Sequence, residues 1–414
     1  MRSRFSLTSY AVVLRAPHAV RTFGAALVGR LSYGVVFLSL VLAVTRVTGS
    51  YAMAGGVVAV FGLASSVLSP FRARLLDRHG PRRALPPMAA VYALLLGVLA
   101  GATWQPGCPR VLLWALGAAS GASTPPLGPL MRGLWGVLVP GRDLLQRAFS
   151  LDTVAEELLF VVGPLLAGLL AAYTDPALGL AVSAGLVLAG SLVLVSSPVV
   201  RSLAVPEMGG ATPENGPPAG PGAAVTAPGR HTWLWRVAAV WQPVLMSGVV
   251  GLGLGAVNIL AVTFAGRHHA VASVAWVEAA LAVGSAVGGL MYGSVGWRAS
   301  IQVRLVFLAC GLGVSLAVAG LSPGIWALAA VLGFAGLFVS PALATGYLMA
   351  EEIAVPGART EAGTWVNTAY NVGNSAGTAG IGLVLARVPL AVCFAITAAA
   401  VLGPAIPVAV RFTH

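Results

Sequence analysis

Charge is what this sequence has least of: 24 basic and 12 acidic residues make up only 9% of its 414 positions. Roughly a quarter is usual for a soluble domain. With 58% apolar side chains and a mean hydropathy of +0.90, a water-facing surface would carry large contiguous apolar patches. A soluble enzyme, a secreted disulfide scaffold and a disordered chain are thereby excluded. Lysine is missing altogether, every basic residue being arginine, which points to GC-rich codon usage and a bacterial source. Cysteine is scarce: Cys108, Cys310 and Cys393 are odd in number and far apart, so neither a disulfide framework nor a metal set is expected. Nucleotide-binding loops, clustered metal ligands and Ser-His-Asp spacings are missing too. No metal, cofactor, ATP drive or enzymatic activity is therefore expected. The net charge of +12 and pI of 10.7 do not imply nucleic acid, because apolar runs separate the arginines and no polar face collects them.

What the sequence does have is long apolar runs. In hydrocarbon every backbone group must be paired internally, so such runs read as spanning helices. Uncharged runs of 21–30 residues separate Arg46 from Arg72, Arg83 from Arg110, Arg110 from Arg132, Asp175 from Arg201, Arg236 from Arg267, Glu361 from Arg387 and Arg387 from Arg411. The run between Arg304 and Glu351 holds 46 residues, interrupted by Ser322-Pro323-Gly324, and makes two spans. Three more carry charge within them: about 20–45 (Arg30), 149–172 (Asp152, Glu156, Glu157) and 271–293 (Glu278). The reading is an all-α integral membrane protein of twelve transmembrane helices.

Nineteen arginines fall on the side of the N-terminus, Arg72, Arg132 and Arg304 among them, against four on the other side. That bias places both termini in the cytoplasm, in a plasma (inner) membrane. No signal peptide is expected, since the first apolar run begins near residue 20 without a small-residue cleavage site. The longest connection, 201–236, has twelve Gly or Pro residues within 205–229 and reads as a flexible linker. It divides the chain into two six-helix bundles, 1–200 and 237–414, with a substrate site between them near the midplane.

Between spans two and three the chain reads Ala73-Arg74-Leu75-Leu76-Asp77-Arg78-His79-Gly80-Pro81-Arg82-Arg83. This resembles the signature loop of the major facilitator superfamily, G-x-x-x-D-R-x-G-x-R-R, with Ala73 in place of the first glycine. Asp77 is an acid suited to accept from a neighbouring helix's free amides, and Gly80 permits the turn. The resemblance implies an inter-lobe latch in which Asp77 docks on the start of span eleven in the outward-open state. Arg78, Arg82 and Arg83 also serve as inside-positive anchors. A faded copy follows span eight, Gly289 to Arg298, keeping glycines and the arginine but not the acid. Spans five and eleven align at an offset that pairs Gly163 with Gly377, a weak sign of an internal repeat. In span five, Gly163-Pro164 followed by Gly168 is similar to an element of the superfamily's proton-coupled exporters, lacking its doubled glycine. Generic kinking and close packing is the other reading.

An ionisable group inside a span is a functional candidate. Asp152 and Glu156 lie one turn apart on one face, with Glu157 about 100° away. Burial penalises a carboxylate's charge, which suits a proton carrier. The alternative is a static gate, with these acids paired to Arg132, Arg142 or Arg147. Arg30 either points inward, toward the span-five acids that the resemblance places beside span one, or snorkels to the interface. Glu278 meets either the cavity or an interfacial arginine. Asn258 and the stripe Asn367, Asn371 and Asn374, with Tyr370 beside it, either line the cavity or stitch helices.

The function expected is a secondary active transporter, exporting a small apolar or amphipathic compound in exchange for protons and working as a monomer in the bilayer. The alternatives are a same-fold importer of a polar solute and, from another class, an integral membrane enzyme.

Overall fold

The computed structural model describes residues 8–104, 107–202, 238–268, 273–297, 299–354, 358–385 and 387–404. Among these, fifteen α-helices follow one another: α1 (Thr8–Leu14), α2 (Ala19–Thr48), α3 (Tyr51–His79), α4 (Pro81–Trp104), α5 (Arg110–Ser123), α6 (Leu127–Leu138), α7 (Arg142–Tyr173), α8 (Pro176–Val195), α9 (Pro198–Ser202), α10 (Trp241–Arg267), α11 (Val274–Ser294), α12 (Ile301–Ala319), α13 (Ile325–Ile353), α14 (Arg359–Leu385) and α15 (Leu390–Leu402). The Gly/Pro-rich stretch 205–229 and Arg298 lie outside the described residues.

This is an all-helical membrane protein. Nine helices, α2, α3, α4, α7, α8 and α10 to α13, are each long and apolar enough to cross a membrane among the described residues. The pair α5–α6, the amide-bearing α14 and the shorter α15 complete the order of twelve.

Span four corrects the sequence reading, which takes Arg110 to Arg132 as one uninterrupted run. Helix α5 stops at Ser123, Thr124-Pro125-Pro126 follows, and α6 continues past Arg132 to Leu138. Consecutive prolines have no N–H to donate, so carbonyls of the preceding turn lose their partners. Arg72 serves two of them, its guanidinium donating to the carbonyls of Gly121 (3.2 Å) and Ala122 (2.5 Å), and it also donates to the Ser65 carbonyl of its own helix at 2.6 Å. The Tyr33 hydroxyl donates to the Pro125 carbonyl at 2.5 Å. Arg72 is therefore a buried cap on a broken helix, not an anchor at the membrane surface.

The two bundles repeat one packing scheme. Helix α2 packs on α7 and α8 as α10 packs on α14 and α15; α3 meets α5 as α11 meets α13; α4 meets α8 as α12 meets α15. Lipid tails are as apolar as the helices, so association rests on close approach through small residues. A Cβ on Gly34 would stand 3.1 Å from the Cα of Gly163, and one on Gly377 would stand 2.8 Å from the carbonyl carbon of Leu252. Gly163 and Gly377, paired by the sequence offset, thus occupy the corresponding helix contacts of the two bundles.

Candidate functional site

At one end the bundles are fastened together. Helix α3 ends at His79 and α4 begins at Pro81, so Gly80 alone makes the turn, at φ 78°; a side chain there would be strained. That tight corner holds Asp77 in the last turn of α3, facing the first turn of α14. Its Oδ1 accepts from the Thr360 N–H at 3.3 Å and its Oδ2 from the Glu361 N–H at 2.8 Å. A carboxylate on unpaired amides at the positive end of a helix is favourable on both counts. Ala73, fully buried, still allows Asp77 to reach α14, while Arg78, Arg82 and Arg83 are exposed. Alongside, Arg359 pairs with Glu351 at 3.0 Å, and Arg142 bridges from α7 to Glu352 at 2.5 Å. Gly136 of α6 admits the first pair: a Cβ there would lie 2.6 Å from Glu351 Oε1 and 2.9 Å from Arg359 Nη1.

A second fastening lies beside the faded repeat. Gln146, near the start of α7, donates through Nε2 to the carbonyls of Tyr292 (2.9 Å) and Val295 (3.3 Å) at the end of α11. Arg304 of α12 donates to Gln146 Oε1 at 2.8 Å and to the Trp297 carbonyl at 3.2 Å. Tyr10 of α1 donates to the Leu290 carbonyl at 2.5 Å. Burial pushes this phenol up to about 12, with Arg147 pulling the other way, so at neutral pH it remains a donor.

Deeper in, four charges from three helices of the first bundle form one network. Arg30 (α2) donates to Asp152 Oδ1 at 2.8 Å and pairs with Glu156 Oε2 at 3.0 Å. Arg132 (α6) pairs with Asp152 Oδ2 at 3.0 Å and also with Glu156. Two cations against two anions leave no net charge, the condition under which buried ions persist. Arg30, Arg132 and Asp152 are at most 3% exposed, whereas the Glu156 side chain is 24% exposed. The ring of Tyr347, on α13 of the second bundle, lies 3.7 Å from the Arg132 guanidinium, a cation–π contact across the interface. Tyr347 in turn donates to Asn367 at 3.4 Å. Arg30 thus points inward. Arg132, counted among the cytoplasmic arginines, is instead buried within α6, which runs on to Leu138; its pairs with the acids of α7 are those the gate reading named.

Glu157 is placed differently. It stands at the interface of α7 with α11, where the Ser285 hydroxyl donates to its Oε1 at 2.6 Å. Its Oε2 is buried and has no hydrogen-bond partner, and no cation pairs with it among the described residues. Ser285 Oγ also accepts from the Ser340 N–H of α13 at 3.2 Å. On the Asp77 side of this pair α7 and α11 are in tight contact: a Cβ on Gly289 would be 2.7 Å from Val154 Cγ2, and one on Gly293 would be 2.8 Å from Ser150 Cβ. The cross-bundle hydrogen bonds described here all lie between the Glu157 level and the Asp77 end. Glu278 occupies the face of α11 that carries Ser285, two turns farther from that end; it is exposed and has no ion-pair partner among the described residues.

The remaining candidates divide. Asn367 reaches Tyr347, but Asn374 is turned onto α10, where its Oδ1 would be 2.6 Å from a Cβ on Gly255. Thr378 joins it there, donating to the Gly255 carbonyl at 2.9 Å. Asn371 and Tyr370 are half-buried on α14, and Asn258 is exposed on α10. Gly163 packs on α2, α7 runs on through Pro164, and Gly168 faces open space. Sequence reasoning missed Tyr347, Gln146 and Ser285. The last two were open to notice: Gln146 is a polar side chain flanking a span, and Glu278, Ser285 and Tyr292 recur at seven-residue spacing.

The family model described as the Major Facilitator Superfamily matches residues 22–246. The chain belongs to the major facilitator superfamily. No curated protein matches it. Among solved structures, a bacterial homologue of the iron transporter ferroportin in the outward-facing state is similar over 95% of this chain and 99% of its own, at 13% identity and a TM-score of 0.72. The human organic anion transporter MFSD10 (TETRAN) matches over 94% and 98%, at 15% identity and TM-score 0.69. The superfamily transporter FucP in the outward conformation matches over 99% of both chains, at 16% identity and TM-score 0.60. These likenesses are of fold. The superfamily consists of transporters rather than enzymes, so this chain is a multi-pass secondary transporter of a small-molecule substrate.

Proposed function

We propose that this transporter is a proton-coupled exporter of a small apolar or amphipathic compound. It works as a monomer by rocking residues 1–200 against 237–414 about the linker 201–236. Both termini and the Asp77 end face the cytoplasm of a bacterial inner membrane, as the arginine bias requires. The fastened end is then the cytoplasmic one, and the described state faces outward, in keeping with the outward-facing structures it matches.

The observation that carries this reading is the set of ionisable groups where the bundles meet. Asp152, Glu156 and Glu157 stand on one helix, Asp152 at the level of the sealed contact of α7 with α11 and the two glutamates just above it. A carboxylate held there meets protons from one side of the membrane at a time, which is what exchange of a proton for cargo needs. Beyond Glu157, on the side away from the Asp77 end, α7 exposes the apolar Leu158, Phe160, Val161 and Leu165, surface in keeping with an apolar or amphipathic cargo.

Flux of candidate compounds into proteoliposomes, with and without an imposed proton gradient, tests the reading. Uptake should follow the gradient and vanish in the Glu156→Gln, Glu157→Gln double variant. Flux indifferent to both changes would reject proton coupling.

A further inference from the structure

We propose that the second bundle carries a phospholipid site. Two apolar grooves flank α13, and each takes one acyl chain of a single diacyl lipid from the leaflet opposite the Asp77 end. The proposal goes beyond the transport reading and is independent of cargo and coupling ion.

The site begins with how α11 and α13 touch. They meet glycine on glycine: a Cβ on Gly284 would run into the Gly333 carbonyl, and one on Gly336 into that of Leu281. Away from the Asp77 end this contact gives way to a groove of about 540 Å³. Ala280, Gly284, Ala329 and Gly333 wall it, and Trp276 and Trp326 stand at its mouth. A second groove of about 310 Å³ runs between α12 and α13, against Val318 and Phe334. Ala330 lines both, so the ridge between them falls to a single methyl group.

Both grooves open away from the first bundle. On α11, Trp276 and Val283 lie about 180° and 200° around the helix from Ser285, which faces α7. Helix α12 packs on α10, α13 and α15, all of its own bundle. The surface outside these helices is the one the bilayer already covers, and the grooves are continuous with it. From Trp276 to Gly284 is ~12 Å of helix, close to the ~15 Å of hydrocarbon in one leaflet. The indoles are 64% and 65% exposed and stand at the level where tryptophan meets headgroups. The glycine contact then lies near the bilayer centre, so the groove has the length of one chain.

The lining decides the occupant. Among the described residues no charged side chain borders either groove. Ser315, in the second, donates to the Gly311 carbonyl of its own helix at 2.7 Å. Water there would lack the polar partners it needs, and an empty groove would leave its walls without dispersion contacts. Spread over ~12 Å, the larger volume has a cross-section of about 45 Å². A helix, 10–12 Å across with its side chains, is too wide for it, which disfavours a second copy of this chain; a polymethylene chain fits. The indole N–H groups at the mouth are donors suited to ester carbonyls. With no cation beside them, headgroup charge goes unread.

The test strips the full chain of lipid in detergent and titrates it with dioleoyl phosphatidylethanolamine or phosphatidylglycerol, counting bound lipids by native mass spectrometry. One diacyl lipid should be held more tightly than any further one, alike for both headgroups and more tightly than a single-chain lysophospholipid. Ala330→Phe, at an exposed position, lays a ring across both grooves. It should weaken that first lipid on the order of tenfold, the equivalent of about ten lost carbon contacts. Ala395→Phe, exposed on α15, should not. In nanodiscs, a phospholipid with a diazirine near its chain end should label 280–284 and 330–334 in the parent and lose that labelling in Ala330→Phe. Retention by Ala330→Phe equal to the parent's, or labelling spread evenly over α11 to α15, would overturn the site. Lysophospholipid binding as tightly as diacyl lipid would overturn the two-groove seat, and a strong preference for phosphatidylglycerol would overturn recognition by the chains. A parent dimer that Ala330→Phe converts to monomer would give the grooves to a second copy instead.

Discussion

The two fastenings at the Asp77 end perform one task with their parts exchanged. In the first, a side chain from the end of α3 reaches the backbone at the start of α14. In the second, a side chain from the start of α7 reaches the backbone at the end of α11. The chemistry follows from which helix terminus is presented. A helix start offers unpaired N–H groups and a positive dipole end, so the reaching group is an acid; a helix end offers unpaired carbonyls, so the reaching group is a donor. The faded repeat from Gly289 onward lacks an acid because its own carbonyls are what Gln146 and Tyr10 bind. The reaching group is a charged carboxylate in the first latch and, in the second, an uncharged amide held by the Arg304 cation.

That contrast is open to direct attack. The largest effect should come from Asp77→Asn, which keeps one acceptor, turns an NH2 toward the other amide and removes the charge. Hydrogen bonds to charged groups contribute ~1.5–3 kcal/mol, so the closed fraction at this end should fall about ten- to a hundredfold, read by distance measurements between α3 and α14. Tyr10→Phe should act less, by ~1 kcal/mol, since it removes one neutral bond of the second latch. Its effect should persist in high salt, where that of a charged latch is screened. Equal losses from the two variants would erase the distinction between charged and neutral reaching groups. The smallest effect should belong to Arg142→Ala, since its pair with Glu352 is 61% and 43% exposed; exposed pairs contribute roughly 0–1 kcal/mol. A loss rivalling that of Asp77→Asn would place the real fastening at the rim.

What could be read from the sequence follows the same division. The Asp77 loop is legible because its residues are consecutive and each has a backbone or charge reason for its place. The acids of α7 are legible because any charge stands out in an apolar run. Arg132 was legible as a partner for these acids but not as a buried group: its depth depends on the break at Pro125-Pro126, which lets α6 carry a second charge into the bundle. Tyr347 and Ser285 acquire their roles from partners 215 and 128 positions away in sequence, a relation that no local pattern encodes. The amide stripe of α14 was legible as a stripe, yet its division between Tyr347 and Gly255 is set by how tightly α10 approaches.

The central claim is that closure of the Asp77 end and openness of the other end are one equilibrium. The most direct test reports both ends in one sample. Label pairs on α3 and α14 at the Asp77 end, and on α7 and α11 at the opposite end, are followed in the Asp77→Asn, Gln146→Ala double variant. The account predicts that the first distance lengthens as the second shortens, in the same fraction of molecules. Lengthening at the Asp77 end with the opposite end unchanged would contradict it.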